Sequence, residues 1–128
     1  YTFMLLSLLY PNLKYSQKGF HQDHMHPYAG FEESKIANLK LPDGSIIDDV
    51  RKDEWRRRRN TLANLQLLEG RENERKNATP LVDWIEVTAN SENAKYMPSD
   101  SSFELSHFED FMDKRQKLMS DALKAILL

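Results

Sequence analysis

One stretch in the middle of the chain decides the fold, because a strand pattern is followed there by a helical composition. It reads LANLQLLEGRENERKN and covers residues 62–77. Its first seven positions are apolar except for Asn64 and Gln66, which is typical of a short, largely buried β-strand. Gly70 ends the strand pattern, and the polar composition of residues 73–77 favours a short helical turn. We therefore predict a strand followed closely by a helix.

Helical patterns flank this stretch on both sides. The apolar segment Thr2–Leu9 ends before Pro11, and residues 48–60 have a charged composition that favours a helix. Further along, Thr79-Pro80 is a typical helix start, with threonine as the N-cap and proline in the first turn. Together with a small strand pair, these segments indicate a single α+β domain that is mainly helical.

The last helix is predicted from a capping box and an amphipathic stripe. Ser106 and Glu109 have the spacing of a capping box, in which each side chain bonds a free backbone N–H at the helix start. The apolar stripe that follows indicates a helix packed against the core rather than a cofactor site. The stripe consists of Phe108, Phe111, Met112, Leu118, Met119, Ala122 and Ile126.

Composition limits the class of protein. The chain has 128 residues, of which 40% are hydrophobic and 30% charged, as in a soluble globular domain. It contains no cysteine, which excludes a disulfide framework and a thiolate metal site. The apolar run at residues 3–9 is too short to span a bilayer and lacks the features of a signal peptide, so we expect a cytoplasmic protein with no membrane partner. Because the chain begins with Tyr1, we expect it to be a fragment of a larger protein.

Three short segments carry the residues that suggest chemistry. They are DHMHP at 23–27, NLQLL at 64–68 and NERK at 73–76. The second segment begins 40 residues after the histidine of the Asp-His pair, and the third begins nine residues after the second. Each segment is weak evidence by itself. In this order and spacing they resemble the HNH endonuclease motif, which has the form D-H-x-x-P, then N-x-x-L-L, then N-x-x-K.

The wider sequence resembles one subfamily, the C-terminal nuclease domain of GmrSD-type restriction proteins. The phrases that carry this resemblance are LLYP at 8–11, GFHQDH at 19–24, LANLQLLEG at 62–70 and PLVDWI at 80–85. The resemblance implies that residues 1–128 form a single HNH nuclease domain, preceded in the full-length protein by a ParB-like domain. The gap between Pro27 and Asn64 is wider than in minimal HNH domains, so we expect an inserted turn and helix there.

The resemblance implies a ββα-metal core and assigns roles to four residues. Histidine suits a general base because its unperturbed pKa is about 6.5, and His24 is implied in that role. Asp23 and Asn73 are the implied ligands of a divalent cation, and hard oxygen donors of this kind favour Mg²⁺ or Mn²⁺. Asn64 is implied to complete the catalytic set by holding the metal-site loop and orienting His24.

Two further histidines, His21 and His26, are close to the Asp-His pair and are alternative ligands or supports of the ligands. If His26 faces the metal, it forms with His24 a two-histidine site that suits Zn²⁺. Such a site lacks the third and fourth protein ligands that are usual for structural zinc. If His26 faces the opposite side from the base, it packs inward. The sequence leaves both alternatives open.

Residues 51–76 form a basic island, with nine basic and five acidic side chains in a chain whose net charge is -2. A run of this kind is either an ion-paired, solvated helix face or a surface that contacts phosphate. On the second interpretation, Arg71, Arg75 and Lys76 contact nucleic acid, and Lys76 lies on the same helical face as the implied asparagine ligand. The four arginines at 56–59 spread around a helix, so only one or two of them can face one DNA strand.

Three functions are compatible with these observations. The first is a metal-dependent endonuclease or nickase that hydrolyses DNA, acting as the effector domain of a restriction or anti-phage defence protein. The second is a non-catalytic domain that binds nucleic acid or a protein partner on an HNH scaffold. The third is an RNA nuclease, which the same site chemistry allows. The sequence does not separate DNA from RNA, or nicking from double-strand cleavage.

Overall fold

Six α-helices and one small antiparallel sheet make up the described chain, which in the computed structural model covers residues 2–13, 19–88 and 92–128. In chain order the elements are α1 (Thr2–Leu9), β1 (Phe20–His24), α2 (Glu33–Ile36), α3 (Asp49–Arg58), β2 (Leu65–Glu69), α4 (Gly70–Lys76), α5 (Leu81–Thr88) and α6 (Phe108–Leu127). Short 3₁₀ turns lie at Tyr28–Phe31, Leu62–Asn64, Glu92–Ala94 and Leu105–His107. The prediction of a mainly helical α+β fold is confirmed.

The two strands pair so that Phe20 lies opposite Glu69 and His24 opposite Leu65. The predicted second strand is confirmed, and four of its five residues are buried. The helix after it begins earlier than predicted, at Gly70, because the chain turns directly at the extended residue Glu69. The helix α4 therefore follows β2 without a connecting loop and lies close to both strands.

The wide gap between the strands holds two helices, α2 and α3, as well as the 3₁₀ turn Tyr28–Phe31. Asp48 caps α3, since its carboxylate accepts a hydrogen bond from the backbone N–H of Arg51 at 2.8 Å. Trp55 of α3 is 1% exposed and contacts Phe31 and Phe108 edge-on or tilted. The insertion thus contributes to the core and is not a surface loop.

The predicted capping box at the start of α6 is wrong. The residue at the N-cap is His107, which makes no side-chain capping bond. Ser106 belongs to the preceding 3₁₀ turn and contacts the His107 ring at 3.1 Å. Glu109 instead forms an ion pair with Arg51 of α3. The 3₁₀ turn shifts the N-cap by one residue, from the predicted Ser106 to His107.

Two apolar clusters form the core. The larger cluster surrounds α6 and the insertion and contains Met25, Phe31, Ile36, Leu41, Ile47, Trp55, Ala63, Leu81, Phe108, Phe111 and Met112. The smaller cluster joins α1 to β2 and contains Leu6, Leu9, Tyr10, Leu65, Leu67 and Met119. Of the predicted stripe of α6, Phe108, Phe111, Met112 and Met119 are buried, whereas Leu118 and Ile126 are 41% and 47% exposed.

None of the helices within the described residues combines the length and the apolar character needed to cross a membrane.

A buried arginine connects the two clusters. Arg115 of α6 is 0% exposed, and its guanidinium donates to the carbonyl oxygens of Ala63 at 2.7 Å and Leu65 at 2.9 Å. It also donates to the hydroxyl of Tyr10 at 2.8 Å. These bonds satisfy backbone acceptors on either side of Asn64, and they attach α6 and the end of α1 to the start of β2.

We expect Arg115→Met to destabilise the fold by about 3 kcal/mol, because the substitution leaves buried carbonyl groups without donors. The measurement is the free energy of unfolding from urea titrations. Lys117→Met is the matched control, because the Lys117 side chain is 77% exposed and its one ion pair within the described residues is with Asp121, one turn away. Equal stabilities for the two variants would contradict the role assigned to Arg115.

Candidate functional site

A cleft of about 240 Å³ lies at the end of β1. Its walls come from the strand end, the following 3₁₀ turn and the residues just after α4. The lining residues are Asp23, His24, Pro27, Tyr28, Ala29, Asn77 and Ala78. Neighbouring residues of a regular strand point to opposite faces, but here β1 ends at His24 and the chain bends at Met25. Both members of the Asp-His pair therefore reach the same cleft.

The Asp23 carboxylate is held through one of its two oxygens. The residue is 8% exposed, and its Oδ2 atom accepts a hydrogen bond from the Gln66 amide at 2.9 Å. The Lys76 ammonium lies 3.2 Å from the same oxygen. Among the described residues, Oδ1 has no hydrogen-bond partner. The carboxylate is thus fixed in orientation, and its second oxygen is left for another group.

Lys76 is buried inside the site and does not lie on the surface of the molecule. It is 0% exposed, and its ammonium donates to the backbone carbonyl of His24 at 2.7 Å as well as contacting Asp23. Burial lowers the pKa of Lys76, and the Asp23 carboxylate opposes that decrease. In this conformation the ammonium faces Asp23, so the phosphate contact expected from the sequence is not available to it.

The His24 ring is oriented by an asparagine that lies outside the three sequence motifs. The Nε2 atom of His24 lies 2.9 Å from the side-chain oxygen of Asn60, just after α3. Because that oxygen only accepts hydrogen bonds, the contact assigns the ring proton to Nε2. The Nδ1 atom is then the unprotonated nitrogen. Asn60 was not predicted from the sequence, because no local pattern links it to His24.

Asn64 holds the backbone around the cleft and does not contact the His24 ring. It is 0% exposed, and its Oδ1 atom accepts from the backbone N–H of His26 at 2.9 Å. Its amide nitrogen donates to the carbonyls of His26 at 3.1 Å and Arg59 at 2.9 Å. Asn64 therefore ties the bend after β1 to the end of α3. The orientation of His24 that was expected from Asn64 comes from Asn60.

Asn73 of α4, the amide expected as a metal ligand, is not among the residues that line the cleft. Asn73 is half-buried, and its side chain has no hydrogen-bond partner among the described residues. Asn77, one helical turn later, is the asparagine that lines the cleft with Asp23 and His24. It ends α4 with a positive φ of 43°, a conformation that asparagine adopts more readily than most residues.

The two other histidines lie apart from the cleft lining. His26 is 2% exposed, and its ring packs edge-on against Phe108 and Phe111, with centroid distances of 5.5 and 4.9 Å. Burial, with a smaller contribution from the Lys76 charge, lowers the pKa of His26 to about 3. His21 is exposed beside Gly70. The inward packing of His26 gives no support to a two-histidine zinc site with His24.

The donor set limits how a metal ion could be held. No cluster of three or more His, Cys, Asp or Glu side chains suited to a metal occurs in residues 2–13, 19–88 and 92–128. A divalent cation here would rely on the free oxygen of Asp23, an amide oxygen from Asn73 or Asn77, and water. That set fits Mg²⁺ or Mn²⁺, which keep several water ligands, and it does not fit structural zinc.

The basic island divides into paired and unpaired cations. Within the described chain, the residues with a carboxylate partner are Arg51, Lys52, Arg56, Arg58 and Lys76. Arg57, Arg59, Arg71 and Arg75 have none there. Arg71 and Arg75 are exposed one turn apart on α4 and border an open depression together with Glu69 and Glu74. The ion-paired interpretation thus holds for part of the island only.

Comparison of the sequence with protein-family models and with curated proteins gives no match. The function of the chain is therefore inferred from the geometry of the cleft and from the sequence motifs that form it.

The depressed pKa of His26 predicts a loss of stability in mild acid. In the unfolded chain this histidine takes up a proton below about pH 6.5, whereas in the folded chain it does so only near pH 3. The contribution of this histidine to the free energy of unfolding is therefore complete above pH 6.5. Below that pH it decreases by up to about 1.4 kcal/mol for each pH unit. We expect the stability difference between the wild type and His26→Phe to change by about 2 kcal/mol from pH 6 to pH 4.5. A pH-independent difference would contradict the burial of a neutral ring.

Removing the buried ammonium is expected to destabilise the site. Lys76→Met leaves the Asp23 carboxylate buried without its cation, which costs about 3 kcal/mol. Arg75→Met is the matched control, because Arg75 is exposed on the same helix and has no partner among the described residues. Urea unfolding of both variants measures the difference. If Asp23→Asn restores most of the stability of Lys76→Met, the loss arises from the uncompensated charge; without such recovery, it arises from packing.

Proposed function

We propose that this chain is an HNH-type endonuclease domain that hydrolyses DNA phosphodiester bonds with Mg²⁺ or Mn²⁺. The observation that carries the proposal is the arrangement at the end of β1. Asp23 and His24 line one cleft, the His24 ring is fixed by Asn60, and one oxygen of Asp23 has no partner among the described residues. A domain that only binds nucleic acid has no need of an oriented histidine beside a fixed carboxylate.

His24 is the general base in this proposal. Its Nδ1 atom takes a proton from a water molecule while the water oxygen forms a bond to phosphorus. The bond between phosphorus and the 3′ oxygen then breaks, and the leaving oxygen takes its proton from solvent. The hydrogen bond to Asn60 keeps the proton of the neutral ring on Nε2, so Nδ1 is the nitrogen that takes the proton from water.

Asp23 and an asparagine of the α4 end are the proposed metal ligands. The resemblance favours Asn73, and the position in the cleft favours Asn77. A bound cation supplies positive charge to a non-bridging phosphate oxygen and to the leaving 3′ oxygen. Gln66 and Lys76 hold the other oxygen of Asp23, so Oδ1 is the carboxylate oxygen that would be offered to a cation. The Lys76 ammonium already compensates the charge of Asp23. The negative charge that balances a bound cation would therefore come from the substrate phosphate.

The full-length context is part of the proposal. By its resemblance to GmrSD-type proteins, the domain is the effector of a restriction or anti-phage defence protein in the cytoplasm, preceded by a ParB-like domain that selects the target. The same chemistry acts on RNA as well as on DNA, because the proposed base and cation act on the phosphodiester and not on the sugar.

One observation favours a second function, a non-catalytic nucleic-acid-binding domain. The Lys76 ammonium neutralises Asp23 without any metal ion. In such a domain the ion pair would be a permanent part of the structure, and Arg71 and Arg75 would carry the contact with nucleic acid through phosphate charge. This alternative predicts binding that does not depend on a divalent cation and no strand cleavage.

Plasmid nicking with Mg²⁺, Mn²⁺ or a chelator tests the two functions. We expect nicking only with a divalent cation, and a rate lower by about 10²–10⁴-fold in His24→Ala, because the general base is lost. His21→Ala is the matched control, since this exposed histidine lies on the same strand and outside the cleft lining. Metal-independent binding without nicking would favour the non-catalytic domain. Substitution of the DNA plasmid by a single-stranded RNA of mixed sequence identifies an RNA nuclease.

Calorimetry with Mn²⁺ separates the base from the ligands. His24→Ala should bind the ion like the wild type, whereas Asp23→Ala should lose binding, because it removes the one carboxylate of the proposed set. Asn73→Ala and Asn77→Ala identify which amide contributes, as the ligand variant should weaken binding more than the other. If His24→Ala loses the ion as completely as Asp23→Ala does, His24 is a ligand and not the base.

A further inference from the structure

A tyrosine that lines the cleft beside His24 carries a stacked arginine on its ring. The Tyr28 ring lines the cleft, is 54% exposed, and meets the His24 ring edge-on at a centroid distance of 5.7 Å. The guanidinium carbon of Arg59 lies 3.5 Å from the centroid of the Tyr28 ring. Stacking of this kind stabilises a cation and holds its plane in a fixed direction. The Tyr28 ring therefore contacts both His24, the proposed base, and the Arg59 guanidinium.

The charge of Arg59 is not compensated by an acidic residue of the described chain. Two neighbouring arginines of α3 differ from it in this respect, because Arg56 contacts Glu33 and Arg58 contacts Asp113. Among the described residues, the Arg59 guanidinium makes one hydrogen bond, a long one of 3.5 Å from Nη1 to the carbonyl of Tyr28. Its Nε atom is buried and has no hydrogen-bond partner among the described residues, so only the terminal Nη atoms can reach a ligand. Arg59 is half-buried, and a guanidinium without a carboxylate partner in the described chain is suited to an anion from outside the chain.

The backbone of Arg59 belongs to the network that positions His24. Its N–H donates to the carbonyl of Trp55 at 2.9 Å, and its carbonyl accepts from the Asn64 amide at 2.9 Å. The next residue, Asn60, bonds the His24 ring. A shift of Arg59 would therefore move the partner of His24 as well. The guanidinium is held in place before any substrate binds, which lowers the cost of binding a phosphate there.

We infer that Arg59, held by the Tyr28 ring, is the residue that binds a backbone phosphate of the nucleic acid next to the bond that is cut. This inference rests on the proposed nuclease function and specifies which cation of the basic island serves the cleft. It assigns Arg59 to substrate positioning, whereas Lys76 is occupied by Asp23. The planar guanidinium matches two phosphate oxygens at once, and lysine at this position would not do so.

Binding is tested with the full chain and a fluorescent 16-nucleotide single-stranded DNA, as well as its duplex, in chelator. Arg59→Gln is compared with Arg57→Gln, because Arg57 is exposed on the same helix and has no carboxylate partner among the described residues. We expect Arg59→Gln to weaken binding by roughly tenfold and to reduce the slope of log Kd against log salt by about 0.7–0.9, as for one lost phosphate contact. Arg57→Gln should change Kd less than twofold. Equal effects of the two variants on the slope would overturn the inference.

The Tyr28 ring is tested separately from the charge. Tyr28→Leu keeps Arg59 but removes the aromatic surface on which it stacks, so we expect weaker DNA binding and a raised KM for nicking. Tyr28→Phe keeps an aromatic ring, so we expect it to retain most of the DNA affinity that Tyr28→Leu loses. A purely structural role for the stack would lower the Tm of Arg59→Gln without changing its salt slope. If the wild type does not nick DNA but Arg59 still controls the slope, the nuclease proposal fails and the phosphate site remains. If nicking occurs and the slope does not depend on Arg59, the phosphate site is refuted and the nuclease proposal stands.

Discussion

The structure depends on how the short turn before β2 is held inside the protein. Asn64 bonds the backbone of His26 and Arg59, and Arg115 bonds the carbonyls on either side of Asn64. Two buried polar side chains thus satisfy the backbone of three segments that meet there, and unpaired groups at this depth would be costly. The bend after β1, the end of α3 and the start of β2 are fixed relative to one another. The positions of Asp23 and His24, the residues of β1 that line the cleft, depend on this junction.

Charge is the second constraint on the site. Asp23 and Lys76 are both buried, and each compensates the other, so the pair is neutral as a unit. Gln66 supplies a further donor to the carboxylate, which removes part of the cost of taking it out of water. The same arrangement that stabilises the fold leaves one oxygen of Asp23 and the Nδ1 atom of His24 for chemistry. In Asp23 and His24, the atoms that bond Lys76 are therefore different from the atoms proposed to act in the reaction.

Much of the fold could be predicted from local pattern, and much of the site could not. The strand Leu65–Glu69 and the helices Thr2–Leu9 and Asp49–Arg58 overlap the segments in which hydrophobic spacing and composition predict them, although residues 62–64 of the predicted strand form a 3₁₀ turn. The helix cap at Ser106 failed because a 3₁₀ turn and a long-range ion pair of Glu109 took precedence. The burial of Lys76 was not visible either: helical spacing gives the face of a side chain, but not the strand that packs on it. The contact between His24 and Asn60 joins residues that no local rule connects.

The long connection between the two strands has a consequence for how the protein is made. The residues that hold Asp23 and His24 lie 36 to 53 positions further along the chain, at Asn60, Gln66 and Lys76. Closing so long a segment is an entropic cost that is recovered only when α2 and α3 have packed into it. During synthesis the Asp-His pair emerges well before the groups that orient it. A ribosome-bound chain therefore carries an unassembled site until α4 is complete, and an incomplete chain released earlier lacks the oriented histidine and the fixed carboxylate together.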